Sequence, residues 1–199
     1  SGRINAYFAT CEDINFHERV GEDCLAARVD ELLNRIRAKY REYDINADPY
    51  VVVKADAGTY GMGVMTVRDA SEVIGLNRKQ RNKMSVIKEG MEVSSVIIQE
   101  GVPTLETIRE AVAEPVVYMI DRFVVGGFYR VHEARGPEEN LNAPGMHFEP
   151  LAFETGCNLP DYSANPDSPP NRFYAYGVIA RLALMAASFE LEAADPFRT

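Results

Sequence analysis

Residues 51–67, VVVKADAGTYGMGVMTV, constrain the fold more than any other stretch, because two β-branched runs flank a loop holding Gly58, Gly61 and Gly63. Tyr50–Val53 and Val64–Val67 favour extended backbone, so the segment reads as strand, glycine loop, strand. Glycines let backbone N–H groups converge on an anion, because they accept positive φ and carry no Cβ. In the two familiar phosphate loops a helix follows the glycines and its N-terminus completes the cradle. Here Val-Met-Thr-Val follows instead, and the spacing G-x-x-G-x-G runs opposite to the dinucleotide fingerprint. Both loops are excluded. What remains is a hairpin tip able to fold over a nucleotide, with Lys54 directed at its phosphates, or a plain glycine-rich turn with an exposed lysine.

Before this hairpin, residues 18–43 carry Leu25, Val29, Leu32, Leu33, Ile36 and Tyr40 at three- and four-residue spacing, the stripe of an amphipathic helix. Behind it, DASEVIGLNRKQRNKM reads as a helix or two short helical turns, with Asp69 or Ser71 as N-cap. Residues 93–100 form a strand that stops at Gly101 and Pro103. TLETIREAVAE (104–114) is expected to be a helix opened by a weak capping box. Residues 115–122 read as a strand, Gly126-Gly127 as a hairpin turn and residues 128–134 as the antiparallel partner. Loops at 135–145 and 158–171 follow, then a closing helix over about 173–191. Strands in hairpin pairs with inserted helices predict an α+β architecture with largely antiparallel sheets.

Net charge −9 argues against a nucleic-acid-binding surface. No window approaches the roughly 20 apolar residues that span a bilayer, and no secretory leader is visible, so a cytoplasmic location is the default expectation. Cys11, Cys24 and Cys157 follow no metal spacing and read as free thiols; His17, His132 and His147 are scattered, which disfavours zinc.

Two further stretches could serve the glycine hairpin. VIIQEGV (96–102) is an apolar strand whose end, Gln99, Glu100, Gly101 and Val102, could offer backbone groups to an adenine edge and a carboxylate to a ribose. DRFVVGGFYRVHEARGPEENLNAPG (121–145) carries the hard oxygen donors that magnesium prefers, at Asp121, Glu138, Glu139, Asn140 and Asn142. Arg122, Arg130 and Arg135 could balance an anionic substrate. At least one of Glu138 and Glu139 reads equally well as part of a solvated loop.

In this order the three pieces resemble the ATP-grasp superfamily. INAYFATCED, VKADAGTYGMGVMTV, IIQEGVPT, GGFYRVHE and NLNAPGMHFEPL together resemble its proteobacterial glutamate–cysteine ligases. The resemblance implies an ATP-dependent carboxylate–amine ligase that joins glutamate and cysteine through γ-glutamyl phosphate, the first step toward glutathione. ATP and Mg2+ are then the expected cofactors, with small-molecule partners only, and a homo-oligomer is compatible with the sequence. Carried over position by position, Lys54 contacts phosphates beneath Gly58, Gly61 and Gly63, while Gln99, Glu100 and Val102 form the adenine hinge. Glu100, or less readily Glu106, meets the ribose. Asp121, Glu138 or Glu139, and Asn140 or Asn142 hold magnesium. Arg130, pointing inward from its strand, stabilises the transferring phosphoryl group. The implied divisions are a helical segment at 1–49, a glycine-lid subdomain at 50–102 and a nucleotide-binding subdomain at 103–199. Nothing ahead of the first helix matches the additional N-terminal domain of such enzymes, so the chain is expected to be a C-terminal piece. It would then be either a ligase, an inactive nucleotide-binding fragment, or another ATP-grasp peptide ligase of the glutathione-synthetase type.

Overall fold

A computed structural model of the chain describes residues 6–56, 63–85, 92–151, 162–163, 165 and 171–195. Its backbone divides into two units, Ser1–Thr104 with Gly136–Ala143, and Leu105–Arg135 with Pro144–Thr199. The 1–49 and 50–102 segments thus share one unit. Among the described residues no helix is long and apolar enough to cross a membrane.

The first unit holds β1 (Phe8–Cys11), α1 (Glu22–Glu42), β2 (Val51–Ala55), β3 (Val64–Val67), α2 (Ser71–Ile74), α3 (Arg78–Ser85) and β4 (Val96–Glu100). Its sheet runs β1-β4-β2-β3 and every pairing is antiparallel. The period-3.6 stripe forms α1 as expected, with Leu25, Val29, Leu32, Leu33 and Ile36 all buried. Glu22 and Asp23 in its first turn and Lys39 and Arg41 in its last complement the helix dipole. The stripe packs with Val51, Val53, Val96 and Ile98, and with Val73 of α2, Met84 of α3 and Leu76 between them, in one apolar core. Period-2 alternation sends Val52, Lys54, Ile97 and Gln99 to the opposite face of the sheet, where they are only half-buried.

The second unit holds β5 (Thr107–Ile108), β6 (Ala111–Ile120), β7 (Phe123–His132), β8 (His147–Pro150) and α4 (Arg172–Ala194). Its sheet runs β5-β6-β7-β8, again antiparallel throughout. Ala113, Tyr129, Val131 and Leu151 form its core, with Phe173 and Tyr176 of α4 against them. Asn171 caps α4 by accepting from the N–H groups of Phe173 and Tyr174.

Two expectations fail in this unit. The helix expected over residues 104–114 is instead β5, a two-residue turn and the start of β6. Arg109 and Glu110 make that turn at φ 48° and 72°, conformations no helix contains. Val112 to Ile120 pair along β7 in a ladder that outweighs the weak helical preference of Arg-Glu-Ala. Nor is Gly126-Gly127 the hairpin turn. The chain reverses at Asp121-Arg122, between the paired residues Ile120 and Phe123, and both glycines lie inside β7, opposite Tyr118 and Val117. A register shift between Tyr118 and Met119 adjoins them, the bulge that glycine within a strand often marks. Strands β1 and β8, FATC and HFEP, went unforeseen because neither carries the β-branched run that marked β3.

Candidate functional site

The β2–β3 hairpin forms as the valine runs predict, with Lys54 paired to Val64 in the ladder. Gly63 closes it at φ 61°, and its carbonyl accepts the N–H of Ala55 at 2.9 Å. Gly58 and Gly61 lie outside the described residues.

Lys54 stands on the sheet face opposite the α1 core. Its Nζ donates to Oε1 of Gln99 at 2.7 Å, a diagonal cross-strand pair, since Lys54 is opposite Ile97 and Gln99 is opposite Val52. Among the described residues no carboxylate lies within ion-pair distance of this ammonium. A half-buried cation held only by a neutral amide retains its charge for an anion.

The strand end at 99–102 splits by parity. Gln99 shares the face of Lys54, whereas Glu100 points the other way and is buried. Glu100 forms an ion pair with Lys39 of α1 and accepts the N–H of Tyr7 at 2.9 Å. Beyond the strand, the N–H of Gly101 is taken by Tyr50 O at 2.8 Å, and Thr104 N–H by Pro137 O at 2.8 Å. Val102, exposed, has a backbone N–H without a protein partner among the described residues. The Glu100 carboxylate is thus spent on the fold. Glu106, the other ribose candidate, belongs to the second unit, where it accepts from Tyr176 Oη and pairs with Arg172 at 3.2 Å.

The residues expected to hold magnesium divide between the units, Glu138, Glu139, Asn140 and Asn142 in the first and Asp121 in the second. Glu138 is ion-paired with Arg68, whose guanidinium lies 5.4 Å from the centre of the Tyr50 ring. Glu139 accepts the N–H of Gly136 at 2.8 Å, and Asn140 Oδ1 accepts the N–H of Asn142 at 2.9 Å. Asp121 is an exposed turn residue of the other unit, at φ 52°. Among the described residues no group of three or more His, Cys, Asp or Glu is placed to hold a metal. Of these donors, Glu138 already serves a guanidinium, and Glu139 and Asn140 serve local N–H groups.

Arg130 does not point into its unit's core. Alternation along β7 sends Tyr129 and Val131 there, and leaves Arg130 on the face away from them. Its Nη1 donates to Glu114 Oε2 at 3.0 Å, across the β6–β7 pair, while its buried Nε has no partner among the described residues.

Sequence reasoning missed the groups that engage these carboxylates: Tyr7, Lys39, Tyr40, Tyr50 and Arg68. Burial, reinforced by Glu138 and Tyr40, pushes the Tyr50 phenol up to about 12. Burial, with Glu100 and Glu138 nearby, also raises Tyr40. No spacing in the sequence joins Lys39 to Glu100 or Arg68 to Glu138, because both pairings are made by tertiary packing. One cavity of about 470 Å³ lies beside the end of α1, with Tyr40 in its lining, and another of about 610 Å³ beside His17, Arg78, Arg81 and Asn82.

Comparison with known proteins adds a family. A family model described as glutamate–cysteine ligase matches residues 2–191. A crystal structure of a proposed gamma-glutamylcysteine synthetase from Methylobacillus flagellatus KT is 65% identical and superposes with a TM-score of 0.81. The match covers 96% of this chain and 45% of that one, so the chain spans under half the length of this relative. Among curated proteins, no match was found.

Proposed function

Because the chain belongs to the glutamate–cysteine ligase family, we propose that it supplies the nucleotide-binding part of an ATP-grasp ligase joining glutamate to cysteine. The observation that carries this reading is Lys54: an ammonium on the sheet face opposite the core, held by the Gln99 amide and by no carboxylate among the described residues. An ATP phosphate arriving at that face takes the place of Gln99 Oε1 as the acceptor, in a charge-assisted bond that a neutral amide cannot match. The N–H of Val102, just beyond the end of β4, is the donor proposed for the adenine edge.

In the proposed reaction the γ-carboxylate of glutamate attacks the terminal phosphorus of ATP, and ADP departs. The cysteine amine then displaces phosphate from the γ-glutamyl phosphate, giving γ-glutamylcysteine. Such transfers need positioning and charge neutralisation more than acid–base chemistry. Lys54 neutralises phosphate charge, and Arg130, whose buried Nε has no acceptor among the described residues, is proposed to stabilise the group in transfer.

A second reading, nucleotide binding without independent turnover, is favoured by the 45% coverage of the Methylobacillus protein. A coupled ADP-release assay with glutamate, cysteine and both together, run on this chain and on a longer one, separates them. Release that needs both amino acids supports the ligase. ATP binding without release in this chain, with release in the longer one, supports the fragment. Release with glycine and a γ-glutamyl dipeptide instead would overturn the substrate assignment in favour of a glutathione-synthetase-like enzyme.

A further inference from the structure

Cys11 and Cys24 come from different elements, yet their Sγ atoms are 3.4 Å apart. Cys11 ends β1 and is buried at 2% exposure, while Cys24 lies in the first turns of α1 and is exposed. A disulfide needs about 2.0 Å between sulfurs, so a shift of roughly an ångström and a half closes the gap. We propose that Cys11 and Cys24 form a dithiol modification site, oxidised to an intramolecular disulfide by exchange with a low-molecular-weight disulfide.

The arrangement assigns each sulfur a part. Exposed Cys24 meets the reagent first: its thiolate attacks one sulfur of RS–SR, that S–S bond breaks, and RS⁻ leaves with the electron pair and takes up a proton. Cys24 then carries a mixed disulfide beside Cys11. The Cys11 thiol gives its proton to water, its thiolate attacks Cys24 Sγ, and the second RS⁻ leaves and is protonated. Two cysteine thiols have been oxidised to one disulfide and RS–SR has been reduced to two RSH. Burial and the adjoining Cys24 sulfur hold the Cys11 thiol up at about 11, so the second step is the slow one. The cross-link ties α1 to the edge strand whose Phe8 is opposite Gln99.

The test uses the chain carrying Cys157→Ala, treated with 2-hydroxyethyl disulfide, blocked with iodoacetamide and mapped by mass spectrometry. The expected result is a linked peptide pair containing Cys11 and Cys24, with the protein lighter by two hydrogens and free of adduct. Adding Cys11→Ala traps a persistent mixed disulfide on Cys24. The cross-link should also form at least about tenfold faster in the folded chain than in urea, because the fold holds the sulfurs together. A lasting adduct on Cys24 while Cys11 is present, both thiols recovered alkylated, or equal rates folded and unfolded would each overturn the assignment.

Discussion

Lys54 Nζ lies 2.7 Å from Gln99 Oε1, across the antiparallel pairing of β2 and β4 and on the sheet face opposite the α1 core. The two residues are 45 positions apart in the chain, and the bond is possible only because both strands keep strict alternation. One position further along β4, Glu100 faces the core instead and pairs with Lys39. Adjacent residues of one strand end therefore do opposite work, one beside the proposed phosphate position and one within the fold.

Lys54→Ala should weaken ATP binding by about 10- to 100-fold, the equivalent of one hydrogen bond to a charged group. Thermal stability should be nearly unchanged, because the lost partner is a half-buried neutral amide. Isothermal titration with ATP measures the first and a melting curve the second. Unaltered affinity would remove Lys54 from the phosphate site.

Glu100→Ala should destabilise the first unit by about 1–3 kcal/mol, since it removes the carboxylate from a largely buried ion pair with Lys39 and the acceptor of the Tyr7 N–H. Urea denaturation reads the loss. Glu100→Gln keeps an acceptor for Tyr7 and should cost less. If Glu100 grips a ribose instead, ATP affinity would fall while the urea midpoint stayed in place.

Gly101→Ala should cost roughly 1–3 kcal/mol by overpacking. A Cβ at Gly101 would sit 2.0 Å from Cε2 of Tyr50, a ring that is itself buried. Tyr50→Leu on top should recover part of the loss, and a double-mutant cycle measures the coupling. Simple additivity would mean that the ring moves aside without penalty.

Tyr50 also predicts an alkaline limit. Its phenol is raised from 10.0 to about 12 by burial, Glu138 and Tyr40, so the unfolded chain releases this proton at lower pH than the folded one. The Tyr50 contribution is complete below about pH 10 and is lost as pH climbs toward 12. Tyr50→Phe should flatten the fall of the urea midpoint across that window. An identical slope in the variant would assign the alkaline loss to other groups.

Where the signal was local, the sequence was enough. The 3.6-residue stripe from Leu25 to Ile36 predicted α1, and the valine runs on either side of the glycines predicted β2 and β3. The local signal failed at 104–114, where Leu105, Ile108 and Val112 mimic a helical stripe, although Pro115 directly behind them was a warning. It failed again at Gly126-Gly127, because a glycine pair marks a bulge as readily as a turn.

The sequence by itself determined which segments are amphipathic, the antiparallel α+β class and the motifs by which the family was recognised, all of which rest on neighbours within a few residues. Only the tertiary structure decided that Glu100 turns inward to Lys39, that Glu138 pairs with Arg68, and that Cys11 meets Cys24. Those partners all lie in the first unit, where burial of the α1 stripe against the sheet brings them together. Side chains adjacent in space but distant in sequence leave no periodic trace, because the energy that joins them comes from packing the whole unit.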